Sequence, residues 1–295
     1  MRRAVLVLVA AIVGWSLVDL VVTLIATPPV IVVGAGAPAL VFALAIARVD
    51  PDRAPAALLA AAFVWGASVA PLVSLALNDS VRAWLGATIG APRTAVLAPA
   101  VVGPLIEESA KGAALAMLVL ARPRAIAGPI DGLVYGAMVG IGFTMAENLS
   151  YLAIAAVQGG QGGLERAVYT RAVLGGFNHA AFTATTGAAV GAALRGRAGV
   201  ARAGAIVAGF TAAVVQHAIW NVVGSRAITA LLCDPEIPGG PCRASPAARR
   251  LYVDIPLVLV ACVGPGIAVL AVVAGAARHR ARRRTIAAGA GARDG

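Results

Sequence analysis

Three charged side chains lie close together within an apolar stretch of the sequence. Glu107 and Glu108 are adjacent, and Lys111 follows them by four and three residues. On an α-helix this spacing lets the ammonium group reach both carboxylates. The surrounding apolar run, residues 94–121, is long enough to span a lipid bilayer. Because an ionised side chain at the centre of a membrane helix costs roughly 2.5–3.5 kcal/mol, the group predicts a functional site.

Lys111 is the only lysine in the chain, and arginine supplies the positive charge everywhere else. An ammonium group is a compact point charge, whereas a guanidinium group is a planar fork. The sequence therefore predicts a role at this position that arginine cannot fill.

The composition indicates a polytopic membrane protein. The chain has 295 residues, of which 60% are hydrophobic and 13% are charged, whereas a soluble domain carries about 25% charged residues. We predict an all-α transmembrane helix bundle of about eight spans. The predicted spans are 4–27, 30–47, 55–77, 95–121, 129–157, 170–194, 203–231 and 251–277.

The apolar spans predict one integral membrane domain, residues 1–277, with a motif-bearing core at about 95–231. Residues 278–295 are rich in Arg, Ala and Gly, and predict a basic, disordered cytoplasmic tail. The net charge is +11, and most Arg residues fall in segments that share one side when both termini are cytoplasmic. The positive charge therefore indicates orientation in the cell membrane and contact with the lipid bilayer, and no nucleic-acid partner.

Two segments are predicted to lie on the outer side of the membrane. Residues 78–93 form one loop, of which residues 81–89 are expected to lie along the membrane interface with Trp84 as anchor. Cys233 and Cys242 flank the other loop, where they could form a disulfide or remain two thiols.

Further polar residues lie deep within the three spans that follow Lys111. Glu147 is in the predicted fifth span, His179 in the sixth, and His217 and Asn221 in the seventh. Counted from the predicted outer ends, these residues and Glu108 fall at overlapping depths, so they can meet in one place. We therefore predict an active-site cavity among spans four to seven.

Small residues in the predicted fifth span indicate which way Glu147 points. Gly132, Gly136 and Gly140 form a ridge that permits close helix packing. Glu147 follows Gly140 by seven residues, so it lies about 20° from that ridge. It is expected to face the bundle interior and not the lipid.

Carboxylates, imidazoles and amides in a dry site are suited to activating water, and two designs fit. In the first design, Glu107 or Glu108 is the general base and Lys111 holds the ionised partner. A histidine or Asn221 then stabilises the oxyanion.

In the second design, Glu147, His179 and His217 bind Zn²⁺ as a set of two histidines and one glutamate. Glu107 or Glu108 then serves the activated water. The sequence has no HExxH pair on one helix, so such a site would be assembled from separate spans. The residues leave both designs open, and also which of the two adjacent carboxylates is the base.

Four motifs in order resemble those of the PrsW-type intramembrane proteases, distant relatives of the CAAX prenyl endopeptidases and the bacterial CPBP proteins. The motifs are Glu107-Glu108-x-x-Lys111, Phe143-x-x-x-Glu147-Asn148 with Tyr151, His179, and His217-x-x-x-Asn221. The resemblance covers about residues 100–225 and implies a peptidase, glutamic or zinc-dependent. It implies substrates that are membrane proteins or membrane-tethered peptides, such as an anti-sigma-factor-like regulator.

A different class of protein could use the same carboxylates. A proton-coupled transporter or a non-catalytic membrane scaffold would also keep charged residues inside the membrane. A transporter is expected to show repeats or broken helices in both halves of the chain. Here the polar residues are concentrated in one half, which favours the peptidase.

Overall fold

The computed structural model describes residues 2–49, 54–196, 198–232 and 275, and these residues form helices and connecting turns without a β-strand. The predicted last span, the predicted tail and the pair Cys233 and Cys242 lie outside the described residues, apart from the isolated Gly275. The α-helices are α1 (Arg2–Ala26), α2 (Pro29–Ala47), α3 (Ala56–Ala67), α4 (Val69–Ile89), α5 (Ala91–Leu97), α6 (Gly103–Ala121), α7 (Pro129–Ala167), α8 (Asn178–Arg195) and α9 (Val200–Leu232). Two π-helical segments join them, π1 (Ala98–Val102) before α6 and π2 (Val168–Leu174) before α8.

The described helices fit a polytopic membrane protein. By length and composition, five helical stretches could cross a membrane: Val9–Ala26, Pro29–Ala47, Ala56–Ile89, Pro129–Arg195 and Val200–Val222. Helix α6 has 19 residues but carries three charged side chains, so its composition alone does not identify it as a span. The all-helical membrane architecture is confirmed, and the number of eight spans stays a prediction.

Residues 78–89 of the predicted outer segment are helical. Helix α4 begins at Val69, after a break at Ser68, and continues to Ile89. Pro71 falls in the first turn of α4, where proline is tolerated. Gly90 ends the helix with a φ of 82°, a conformation that favours glycine.

The predicted sixth span, residues 170–194, is also not one helix. Segment π2 ends at Leu174, and α8 begins at Asn178 after a turn that contains Gly175. His179 therefore lies in the first turn of α8, whereas the prediction placed it more than two turns into a span.

A sharp turn divides α7 into two helical pieces. Gly160 has φ 56° and ψ −149° inside this helix, values that glycine adopts readily and other residues rarely do. The backbone of Gly163 then packs against the carbonyl of Ala155. The chain thus forms a helical hairpin, and residues after Gly160 return alongside those before it.

The first piece of α7 lies at the centre of the bundle, between α8 and α3. Gly132, Gly136 and Gly140 lie directly against backbone carbonyl groups of α8, which confirms the predicted small-residue ridge. On the side of α3, Gly142 meets the carbonyl of Phe63 in the same way. These contacts leave no room for a side chain, so the two interfaces hold α7 in one register.

We predict that Gly136→Ala destabilises the protein. The added methyl group would press on the carbonyl of Thr183 in α8, and overpacking of this kind costs about 1–3 kcal/mol. The melting temperature in detergent, measured by size-exclusion chromatography after heating, should fall by several degrees. Gly204→Ala is the matched control, because a methyl group there meets no other atom. An equal response of both variants would contradict the close packing of α7 on α8.

Candidate active site

Helix α6 directs its charged residues into the bundle. Glu107, Glu108 and Lys111 are all buried, and Lys111 is 0% exposed. The Lys111 Nζ lies 2.6 Å from Glu108 Oε1 and 3.0 Å from His179 Nδ1. It also lies 4.2 Å from the centre of the Phe143 ring. A carboxylate, an imidazole and an aromatic face thus surround the buried ammonium group.

The contact with Lys111 fixes the protonation of His179. An ammonium group only donates hydrogen bonds, so Nδ1 of His179 must accept. The proton of the neutral imidazole is then on Nε2, which lies 3.0 Å from Glu147 Oε2 and donates to it. His179 therefore links the ammonium group on α6 to the carboxylate on α7.

Both carboxylate oxygens of Glu108 accept hydrogen bonds. Its Oε1 accepts from Lys111 and from Nδ1 of His217, 3.0 Å away. Its Oε2 accepts from the Thr183 hydroxyl at 3.0 Å. This carboxylate is held from three directions by α6, α8 and α9, and it holds the ring of His217 in turn.

Glu107 is in a different position, although it is the next residue. Its Oε2 is buried and has no hydrogen-bond partner among the described residues. Nε2 of His217 lies 3.5 Å from this oxygen. Because Nδ1–H of His217 donates to Glu108, the neutral ring has a free lone pair at Nε2. An unbonded carboxylate oxygen and an unprotonated imidazole nitrogen thus face each other.

The exposed edge of the cluster is formed by the two arms of the hairpin at Gly160. On the returning arm, Arg171 donates to Glu147 Oε2 at 3.0 Å and to Asn148 Oδ1 at 3.3 Å. The guanidinium carbon lies 3.5 Å from the centre of the Tyr151 ring. Continuous contacts therefore run from this edge through Glu147 to the buried Lys111 and beyond.

The structure brings six of the seven predicted site residues into one cluster. These are Glu107, Glu108, Lys111, Glu147, His179 and His217. The seventh, Asn221, donates to the carbonyl of Pro99 at 3.1 Å and so ties α9 to π1. Its role at an oxyanion stays a prediction, as does the cavity among spans four to seven.

Two members of the cluster were missed by the sequence reasoning. Thr183 follows His179 by four residues, so it lies on the same face of α8. Arg171 is a charged residue at the start of a predicted span. Both signals were available, but neither residue belongs to the motifs that carried the resemblance.

The donor atoms fit a metal ion. One donor atom from each of Glu107, His179 and His217 lies within 4.8 Å of the other two. Glu107 and His217 each offer an atom without a hydrogen, and Glu108 orients His217 as carboxylates commonly do for histidine ligands. His179 can join them once one of its two hydrogen bonds is released. Glu147, the carboxylate of the predicted set, instead contacts His179 and Arg171.

Comparison with known proteins identifies the family of the chain. No curated protein and no solved structure gives a significant match to the chain. A sequence model of the PrsW family intramembrane metalloproteases matches residues 54–235. That match covers more than half of the sequence and contains every residue of the cluster, so the chain belongs to the PrsW family of intramembrane metalloproteases.

Proposed function

We propose that this protein hydrolyses peptide bonds of membrane-associated proteins, using water activated beside Glu107. The observation that carries the proposal is the buried Glu107 Oε2, which has no hydrogen-bond partner among the described residues. Leaving a buried polar atom unpaired costs free energy. A water molecule, a metal ion or a substrate group at this position would remove that cost.

Glu107 is suited to move the proton in this reaction. The carboxylate accepts a proton from water, and the oxygen of that water attacks the carbonyl carbon of the substrate. The same proton then passes to the amide nitrogen as the carbon–nitrogen bond breaks. His217 Nε2, 3.5 Å from Glu107, is placed to accept a hydrogen bond from the protonated carboxyl group during this transfer.

Glu108 acts on the reaction through its neighbours. It donates nothing itself when ionised, and its contacts with Lys111, Thr183 and His217 leave it no free role in proton transfer. By accepting from Nδ1 of His217, it keeps the Nε2 lone pair directed at Glu107. This division of contacts supports Glu107, and not Glu108, as the base.

The donor set also supports a zinc ion, held by Glu107, His179 and His217. A bound zinc ion would supply Lewis acidity for water activation and for polarising the scissile carbonyl. Glu107 would then be a ligand. Glu147, which is not a ligand and lies beside His179, would accept the proton from the water in its place.

The distribution of Arg supports a cell-membrane location with both termini in the cytoplasm. In that orientation the cluster faces the outer half of the bilayer. The substrates are accordingly membrane proteins or membrane-tethered peptides, and a regulator resembling an anti-sigma factor belongs to that class.

The first experiment compares new protein N-termini in membranes from cells that carry the wild-type protein or Glu107→Gln. We expect cleavage products with the wild type only, and a loss of about a hundredfold to ten-thousandfold in rate for the variant, as is usual when a general base is removed. Glu165→Gln is the matched control, because Glu165 is exposed and bonds only Gln161 in the described structure. Identical N-termini in all three, with equal protein levels, would favour a transporter or a scaffold.

Glu108→Gln should differ from Glu107→Gln in stability. Removing the charge of Glu108 leaves the buried ammonium of Lys111 without its ion-pair partner, and breaking a buried pair costs about 3–5 kcal/mol. We expect no cleavage by either variant, and a lower melting temperature in detergent only for Glu108→Gln. Equal melting temperatures would mean that the two carboxylates do not divide the work as proposed.

Metal analysis of the purified protein separates the two mechanisms. If Glu107, His179 and His217 hold a zinc ion, we expect about one zinc ion per chain, and Glu107 is then a ligand and Glu147 the base. The zinc should be absent from Glu107→Gln and His217→Asn, and present in Glu147→Gln. A zinc-free wild type that keeps its activity in the presence of chelators would establish the glutamic mechanism.

Lys111→Arg should abolish most of the cleavage activity. The ammonium group fits between Glu108, His179 and the Phe143 ring without exposure to solvent, and a planar guanidinium group is larger. Arg122→Lys is the matched control, because Arg122 is exposed at the end of the same helix. Full activity of Lys111→Arg in the assay of N-termini would remove the argument from the lone lysine.

A further inference from the structure

Arg171 and its partner Glu147 are more exposed than the other charged members of the cluster. The side chain of Arg171 is 18% exposed, and that of Glu147 is 20% exposed. The ring beneath the guanidinium group of Arg171 belongs to Tyr151, which is 45% exposed. Lys111 and Glu108, by comparison, are completely buried side chains. Arg171 thus lies at the boundary between the buried cluster and its surroundings.

The guanidinium group has donors to spare. Of its five N–H groups, one donates to Asn148 and one to Glu147. The other three have no partner within the described part of the chain. The stack on Tyr151 and the two hydrogen bonds fix the plane of the fork, so its remaining donors point in set directions.

A peptidase that works within a membrane must handle an unwound substrate. A peptide bond inside a helix is shielded, and unwinding the helix releases backbone carbonyl groups from their hydrogen bonds. In a medium without water, each such carbonyl needs another donor. Unused N–H groups beside the reacting carboxylates supply what the unwound segment lacks.

We infer that Arg171 binds backbone carbonyl groups of the unwound substrate segment and presents the scissile bond to the cluster. This inference rests on the proposed peptidase function and names the form of substrate that the site takes. Recognition is of backbone, so it does not depend on the side-chain sequence of the substrate. Tyr151 holds the fork in the plane from which it donates.

A binding measurement tests this inference without any cleavage. The probes are two fluorescent transmembrane peptides of Leu and Ala, one with a central Gly-Pro pair that breaks the helix and one without it. The receptor is full-length Glu107→Gln protein in lipid nanodiscs, so neither peptide is cut. We expect the broken peptide to bind at least about tenfold more tightly than the unbroken peptide.

Combining Glu107→Gln with Arg171→Lys should remove most of that preference, because an ammonium group pairs with Glu147 but lacks the fork. Tyr151→Leu should reduce the preference by a smaller factor, since Arg171 remains but loses its stack. Arg166→Lys is the matched control on the same arm of the hairpin, where the side chain is exposed and does not contact Glu147. It should leave the preference unchanged.

Three results would overturn the inference. The first is equal binding of both peptides to the Glu107→Gln protein. The second is a preference that survives Arg171→Lys while cleavage by an otherwise wild-type Arg171→Lys protein falls, which would make Arg171 a positioning residue for Glu147.

The third result concerns a peptide with a central Asp in place of Gly-Pro, which should bind no better than the unbroken peptide. Tighter binding of the Asp peptide would mean recognition of a carboxylate. The comparison of N-termini stands apart from these measurements, so a failure here leaves the peptidase function intact.

Discussion

The buried ammonium group of Lys111 is the interaction on which the site depends. Taking such a charge out of water costs several kcal/mol, and the cost is offset only when partners surround it closely. Glu108 and His179 supply those partners, and the Phe143 ring closes the remaining side. Because these groups come from α6, α7 and α8, the charge fixes three helices at once, and Glu108 extends the connection to His217 on α9. The contacts that form the site are therefore also the contacts that hold these four helices together.

The membership of the cluster could be predicted largely from the sequence. Charged residues are costly in apolar helices and usually face the interior of a bundle, so Glu147 and Lys111 were expected to lie toward each other's helices. The division of roles between Glu107 and Glu108 could not be predicted, because adjacent helix positions point 100° apart and the rotation of α6 is set by its neighbours. Because the rotation of α6 could not be predicted, the sequence also could not show that Glu107, rather than Glu147, lies with the two histidines in the group that could hold a metal ion.

The limits of the helices were predicted less well than the chemistry. Hydropathy measures how apolar a stretch is, and it is similar for a helix that crosses a membrane and for one that turns back. The hairpin at Gly160 was therefore predicted as a loop between two spans. The break before α8 was missed, because residues 170–194 were predicted as a single span. Helix α4 ran past its predicted end because Asn78 and Asp79 are polar without breaking a helix. Close packing by glycine was the exception, since Gly132, Gly136 and Gly140 lie at helical spacing and can be recognised by type alone.

The hairpin in α7 has a consequence for how sequences of this kind can change. Glu147 lies thirteen residues before Gly160, and Arg171 lies eleven residues after it. Adding one residue to either arm rotates everything beyond it by about 100° and carries the two charges out of reach of each other. An insertion or a deletion in one arm therefore breaks the contact between Arg171 and Glu147 unless it restores the helical phase, which takes about a whole helical turn.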